Sequence, residues 1–242
     1  MDTSMYVAVS GQIAQQKRMD TIAQNIANAT TTGYRRDAVQ FDTVLSGTDS
    51  EATVAYTSRG ETIISRDQGA VIKTGNPLDI AVNGAAWLSY LGPDGQVFTR
   101  DGRMQITANG ELMTITGHQI LDAGGGPMQL DPNGGPPTIA ADGTITQNGR
   151  QLGAIGLFTI PLNAKLLRAA DSGVVPDVPA EAALDFSKNS IIQGHLENSN
   201  IQPVLEMTRL IEIQRTFDAL ATAISDNDNL SKEAVRTLGT GS

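Results

Sequence analysis

Two histidines, at positions 118 and 195, are all the imidazole this 242-residue chain offers, and it contains no cysteine. Without thiols there is no disulfide, no thiolate nucleophile and no Cys-based zinc site. The consecutive glycines Gly124, Gly125 and Gly126 suggest a phosphate loop, whose backbone N–H groups would hold an anion at the mouth of a helix. Such a loop needs Lys and then Ser or Thr next, and Pro127 and Met128 stand there instead, so a turn is expected. The run Asp226-Asn227-Asp228-Asn229 opens like a calcium loop. Leu230 and Ser231 then fill the places of a further oxygen ligand and the turn glycine, inside a helical pattern.

A serine or carboxylate nucleophile would need a positioned base. Ser10-Gly11 and Ser172-Gly173 lack the strand-turn-helix context of a nucleophile elbow, and Asp67, Asp79, Asp94, Asp101 and Asp142 fall mostly where turns use Asp as a cap. Spacing alone leaves a paired-carboxylate hydrolase open. Asn28-Ala29-Thr30 spells a glycosylation sequon, but without a secretory signal it reads as a helix terminus. The single tryptophan, Trp87, lies in a strand pattern and is expected in the core; His118, after Gly117, is expected in a turn or at the surface. These residues assign no catalytic group, no metal ligand and no cofactor.

The elements that would have to position a site are more informative. Net charge is −9 with a pI near 4.6, which argues against a nucleic-acid partner. Asp2 stands where a secretory signal would carry Lys or Arg, and no apolar run reaches membrane-spanning length, so neither a cleaved signal nor membrane insertion is expected. From Met5, steps of three and four give Met5, Ala8, Gln12, Gln15, Met19, Ile22, Ile26 and Ala29, a heptad-like helical seam over residues 3–30. A second helix is expected over 203–238, with Pro203 suited to its first turn, Glu206 near the positive end of the dipole and Gly239 placed to stop it.

In that helix Leu210, Ile213, Phe217, Leu220 and Ile224 keep strict three-four spacing, the strongest periodicity in the chain. Either this stripe packs on the chain's own core, or both ends form coiled-coil surfaces between molecules. Between the helices, seven Asn-Gly or Asp-Gly pairs from Asn83-Gly84 to Asn148-Gly149 punctuate short strand-like runs such as LDIAVN, WLSYL, HQIL and TITQ. The fold class expected is α+β: a discontinuous α-helical, coiled-coil domain from both termini plus a central all-β domain of short hairpins. The division read is helix 1–32, extended arm 33–75, β domain 76–175, returning arm 176–202 and helix 203–242.

The run Ala27 to Arg36, ANATTTGYRR, after a heptad helix resembles the bacterial flagellar rod and hook protein family. The segments KTGNPLD (73–79), TRDGR (99–103) and GHLENSN (194–200), followed by Pro203 and EMTRL (206–210), agree with it. The length and the run Asn148 to Gly153 are most similar to the proximal-rod kind, with the distal rod as the nearest rival.

The resemblance implies a non-enzymatic structural subunit of the flagellar basal body, exported through the flagellar channel without signal cleavage. Its partners would be other rod proteins and the export apparatus. Its terminal helices would line a tube through Met5, Met19, Ile22, Ile26, Leu210, Ile213, Phe217, Leu220 and Ile224, with the β domain outside. The stretch Asn25, Asn28, Thr30, Gly33, Tyr34 and Arg35 would carry the chain from helix to arm, and Tyr34-Arg35-Arg36 would meet neighbouring subunits. A β-rich ligand-binding or hydrolytic protein with helical oligomerisation ends is the competing class.

Overall fold

The computed structural model describes residues 3–41, 43–46, 54–57 and 60–239. It divides into two compact units. One comprises residues 1–27, 37–63 and 202–242; the other comprises residues 28–36 and 64–201. The fold is α+β, two helices at the ends of the chain and short antiparallel strands between them.

In the first unit, helix α1 (Thr3–Ala27) and helix α2 (Pro203–Gly239) pack against one another. Gly11 falls on that contact: a Cβ built there would lie 3.8 Å from Leu220 Cδ1, so the small residue admits close approach. The seam residues Met19, Ile26, Leu210, Ile213, Phe217, Leu220 and Ile224 are half-buried and Ile22 is buried, while the Met5 side chain lies outside the described residues. A single helix pair covers only part of each apolar stripe, which is why these side chains stop at intermediate burial. Strands Asp37–Gln40 and Glu61–Ile64 pair, as do Thr43–Ser46 and Val54–Thr57, and α1 packs on this part of the unit.

α2 begins at Pro203, whose missing N–H costs nothing in a first turn. Glu206 in that turn is 2% exposed and forms an ion pair with Arg209 at 2.6 Å. Among the described residues no helix is long and apolar enough to cross a membrane.

The second unit holds the hydrophobic core. One cluster gathers Ile80, Val82, Leu88, Tyr90, Leu112, Ile120, Ile145 and Ile155; a smaller one gathers Trp87, Phe98, Phe158 and Val174. Alternating strand residues feed both clusters, so the four-stranded sheet is covered on two faces: in strand Gly95–Thr99, Val97 enters one cluster and Phe98 the other. The sheet order is Leu166–Arg168, Val174–Pro176, Gly95–Thr99, Leu88–Gly92, all antiparallel. A three-stranded sheet joins Thr138–Ile139, Thr144–Gln147 and Arg150–Ala154, turned at Asn148 (φ 52°) and Gly149 (φ 72°) as a tight hairpin requires.

The segments read as arms carry strands in this unit. Val71–Lys73 pairs with His195–Glu197, placing Val71 opposite Glu197, and Ile80–Asn83 pairs with Ser190–Gln193. These ladders bring residues near 71–84 to residues near 190–197. The run HQIL, expected as a strand, forms only isolated bridges, Tyr90 with Ile120, Met113 with Gln119 and Leu121 with Pro127. It threads between neighbours on both sides, so no single partner forms a ladder with it.

His118 closes the expected turn, its N–H donating to Thr114 Oγ1 at 3.0 Å and its carbonyl accepting the Thr114 N–H at 2.8 Å, and its side chain is half-buried. Its ring stacks on Tyr90 at 5.0 Å, and its Nε2 lies 3.1 Å from an oxygen of Asp171. Asp171 (φ 55°) and Ser172 (φ 59°) make the hairpin turn beneath it in a left-handed conformation that non-glycine residues resist. The glycines 124–126 form the expected turn, capped by Asp122 Oδ1, which accepts from the N–H groups of Gly124 and Gly126 at 2.8 Å each.

Candidate functional site

α1 ends at Ala27 because the residues after it are drawn into other bonds. The Thr31 N–H donates to Asn28 O at 3.1 Å and the Tyr34 N–H to Thr31 O at 3.2 Å, a double turn that leaves Gly33 at φ 68°. A Cβ at Gly33 would meet Asp101 N at 2.3 Å and Arg100 C at 2.5 Å, so only glycine allows this loop to lie on the Arg100-Asp101 peptide. The Gly33 N–H donates to Glu197 O at 2.8 Å. Three segments far apart in sequence therefore share one backbone junction.

Beyond Gly33 the chain enters the core. Tyr34 is 4% exposed and Arg35 1% exposed. Arg35 Nη2 lies 2.7 Å from Glu197 Oε1, and Arg100 Nη1 donates to Glu197 Oε2 at 3.0 Å, with all three side chains about 1% exposed. The same carboxylate accepts from the Gly69 N–H at 3.0 Å. Arg100 also donates to Val82 O at 2.9 Å and Gly84 O at 2.5 Å. Both guanidiniums lie against the Trp87 indole, at 5.6 Å for Arg35 and 5.4 Å for Arg100.

Taking charges out of water costs several kcal/mol each, and two cations near one anion offset that only if every group finds partners. Glu197 and the indole face serve both cations and the Val82 and Gly84 carbonyls serve Arg100, but Arg35 Nε and Nη1 and Arg100 Nε are buried without a hydrogen-bond partner, so the offset is incomplete. Burial pulls Arg100 down to about 10; Glu197 pulls it back up and the neighbouring Arg35 adds to the lowering. Arg35 is lowered by burial too, opposed by Glu197 and then Asp67. Both stay cationic at neutral pH, and the cluster carries one net positive charge.

A second set of bonds surrounds this knot. Arg168 Nη2 donates to Arg35 O at 2.6 Å and its guanidinium sits 4.2 Å over the Tyr34 ring. Asn200 Oδ1 accepts the Arg36 N–H at 2.7 Å while its Nδ2 donates to Asp67 O at 2.9 Å. Arg103 forms a bidentate pair with Asp101, the nearer contact 2.6 Å, and that pairing raises its already high pKa. In the first unit, Asn25, 1% exposed, performs a comparable service: its Oδ1 accepts the Asp37 N–H at 2.9 Å and its Nδ2 donates to Asp37 O at 2.8 Å.

The structure thus places the helix-exit residues unevenly. Asn25, Gly33, Tyr34 and Arg35 are buried and bonded, Asn28 is half-buried in the turn, and Thr30 faces solvent. Tyr34 and Arg35, expected to meet neighbouring subunits, are used inside the chain, because Glu197 supplies the only carboxylate within ion-pair distance of Arg35 among the described residues. Sequence reading missed Arg100, Glu197, Arg168 and Asn200 as members of the site. Arg100, Glu197 and Asn200 nonetheless lie in the TRDGR and GHLENSN runs, which were the available signal. Its ions hold one another, backbone groups and the Trp87 indole, so the knot cross-links chain segments that are far apart in sequence.

The comparisons follow the same partition. Residues 5–35 match the family described as "Flagella basal body rod protein", residues 81–147 match "Flagellar hook protein FlgE/F/G D1 domain", and residues 192–237 match "Flagellar basal body rod FlgEFG protein C-terminal". Arg35, Arg100 and Glu197 fall one in each matched segment. The chain is 46% identical to the flagellar basal-body rod protein FlgF of Mesorhizobium japonicum over all of both chains, and 41% identical to that of Rhizobium meliloti over 99% of both. It is 30% identical to the flagellar basal-body rod protein FlgG of Agrobacterium fabrum, over 97% of this chain and 99% of that one. A chain alike from end to end, whose three family segments converge on one buried ion cluster, belongs to the flagellar basal-body rod protein family.

Proposed function

We propose that this chain is a structural subunit of the bacterial flagellar basal-body rod, of the proximal kind, which self-assembles through its terminal helices into a helical tube. The observation that carries the reading is the end-to-end likeness to relatives named FlgF, at 46% and 41% identity, against 30% for a relative named FlgG. Its partners are other rod subunits and the flagellar export apparatus, and its place is the basal body. The role is mechanical, to transmit torque and leave a channel for exported subunits.

Half-burial of the seam in the isolated chain supports this reading. Leu210, Ile213, Phe217, Leu220 and Ile224 on α2, with Met19 and Ile26 on α1, are the half-buried members of the seam, and on this reading they complete their burial in a coiled coil with neighbours. Full burial of each such side chain is worth roughly 1.5–3 kcal/mol, so the uncovered remainder is a driving force for association. The knot serves the same role by fixing the helix exit within the β unit with short charge-assisted bonds.

Substitution Phe217→Asp tests the assignment in the bacterium that encodes the chain. Cells carrying it are expected to lack motility and an assembled rod, while the purified variant keeps the native Trp87 fluorescence of the β unit. Normal motility would overturn the reading.

A further inference from the structure

Asn-Gly pairs stand at residues 83–84, 109–110, 133–134 and 148–149. The dipeptide is chemically labile because glycine has no side chain to shield its own nitrogen, which can attack the asparagine Cγ one residue back. Attack asks three things of the fold. The Gly N–H must be free of a hydrogen bond, the Asn-Gly peptide must be able to turn over, and water must reach the product.

Three of the pairs are held. The Gly110 N–H donates to Thr107 O at 2.9 Å, and a Cβ at Gly110 would lie 2.3 Å from Leu130 O, so this peptide is both bonded and enclosed. The Gly134 N–H donates to Asp131 O at 3.0 Å, and Gly134 is buried against the Gln147 side chain. Asn83 ends a strand opposite Ser190, while Gly84 packs on Lys188 O and its carbonyl accepts from Arg100 at 2.5 Å.

Asn148-Gly149 meets all three conditions. Both residues are exposed, a Cβ at Gly149 would meet nothing within 4 Å, and the Gly149 N–H makes no hydrogen bond among the described residues. The residues on either side are fixed, since Gln147 pairs with Arg150 across the hairpin and Gln147 Oε1 accepts the Asp131 N–H at 2.9 Å. Only the peptide at the tip is loose. Its φ values of 52° and 72° are those of a type I′ turn. Turning that peptide over gives a type II′ turn, which keeps φ positive at Asn148 and makes it negative at Gly149, a change glycine accepts in either direction. The flip takes Asn148 ψ to about −120°. There the Cα–Cβ bond eclipses the peptide C–N bond, and the Gly149 nitrogen faces Cγ.

We propose that Asn148 is a site of spontaneous deamidation. The Gly149 nitrogen bonds to Asn148 Cγ, the Cγ–Nδ2 bond breaks, and Nδ2 leaves as ammonia with the proton that Gly149 gives up. Solvent water then opens the succinimide ring, at Cγ to give aspartate or at the main-chain carbonyl to give isoaspartate. Nothing is oxidised or reduced. Either product adds one negative charge to the chain's −9, next to Arg150. Isoaspartate also routes the backbone through Cβ, which a two-residue turn does not accommodate. The site stands independently of the rod reading.

The purified full chain is held in mildly alkaline buffer and, in parallel, in urea that unfolds it, and each pair is followed by peptide mapping with mass spectrometry. In the folded chain Asn148 is expected to convert at least about tenfold faster than Asn83, Asn109 or Asn133. Those three must first open locally, and each ~1.4 kcal/mol of opening slows the reaction about tenfold. In urea the four rates converge. Asn148→Gln, whose longer side chain closes a ring poorly, should hold its charge on an ion-exchange column over the same interval. Equal rates in the folded chain, no conversion at Asn148, the same lead for Asn148 in urea, or undiminished acidification of Asn148→Gln overturns the assignment.

Discussion

Glutamine in place of Glu197 keeps the shape of the side chain and removes its charge. Arg35 and Arg100 would then sit about 1% exposed with no carboxylate in ion-pair distance among the described residues. Breaking a buried, hydrogen-bonded ion pair from one side costs about 3–5 kcal/mol, since an uncompensated charge stays out of water. Here two cations lose one anion, so the upper part of that range applies. A domain has about 5–15 kcal/mol in all, so the loss is a third or more of the total. With a urea slope of about 2 kcal/mol/M, the midpoint falls by about 2 M. Trp87 reports the event directly, being the only tryptophan and lying against both guanidiniums. Urea titration of Glu197→Gln by tryptophan fluorescence is the assay. A loss below about 1 kcal/mol, the level of an exposed ion pair, would refute the claim that the knot is desolvated and structural.

Gly33→Ala forces a left-handed residue and a Cβ within 2.3 Å of Asp101 N, and should cost at least about 2 kcal/mol in the same titration. The Tyr90 hydroxyl donates to Ala170 O at 2.7 Å, and burial, then the Asp171 charge, push its pKa up to about 12 from 10. The folded state therefore holds this proton more tightly, and the stability it contributes is present below pH 10 and lost as pH rises to 12. The stability advantage of the native chain over Tyr90→Phe should shrink across that interval, measured by urea midpoints at each pH; a constant difference contradicts the assignment.

What the sequence made legible was whatever rests on local periodicity. The three-four spacing of Leu210 to Ile224 requires a helix whatever else the chain does, and α2 spans Pro203–Gly239. Asn148-Gly149 turns a hairpin because both residues tolerate positive φ locally. Trp87 was expected in the core and is 2% exposed there.

The knot was not legible, for a physical reason. Arginine and glutamate are buried only when paired, and Arg100 and Glu197 are 97 positions apart, so no window along the chain contains both. Their partnership follows from two strand ladders, Val71–Lys73 with His195–Glu197 and Ile80–Asn83 with Ser190–Gln193, whose registers no local pattern sets. The Asp171-Ser172 turn was hidden for the opposite reason: its residues do not favour the conformation they adopt, and Tyr90 and His118 hold it from outside.

Imaging of basal bodies purified from the encoding bacterium, at side-chain resolution, tests the assignment most directly. Density for this chain within the proximal rod, with α1 and α2 packed on neighbouring subunits in the inner layer and Glu197 between Arg35 and Arg100, is the expected result. A complete rod in which every subunit's density fits other chains and none fits this one would contradict it.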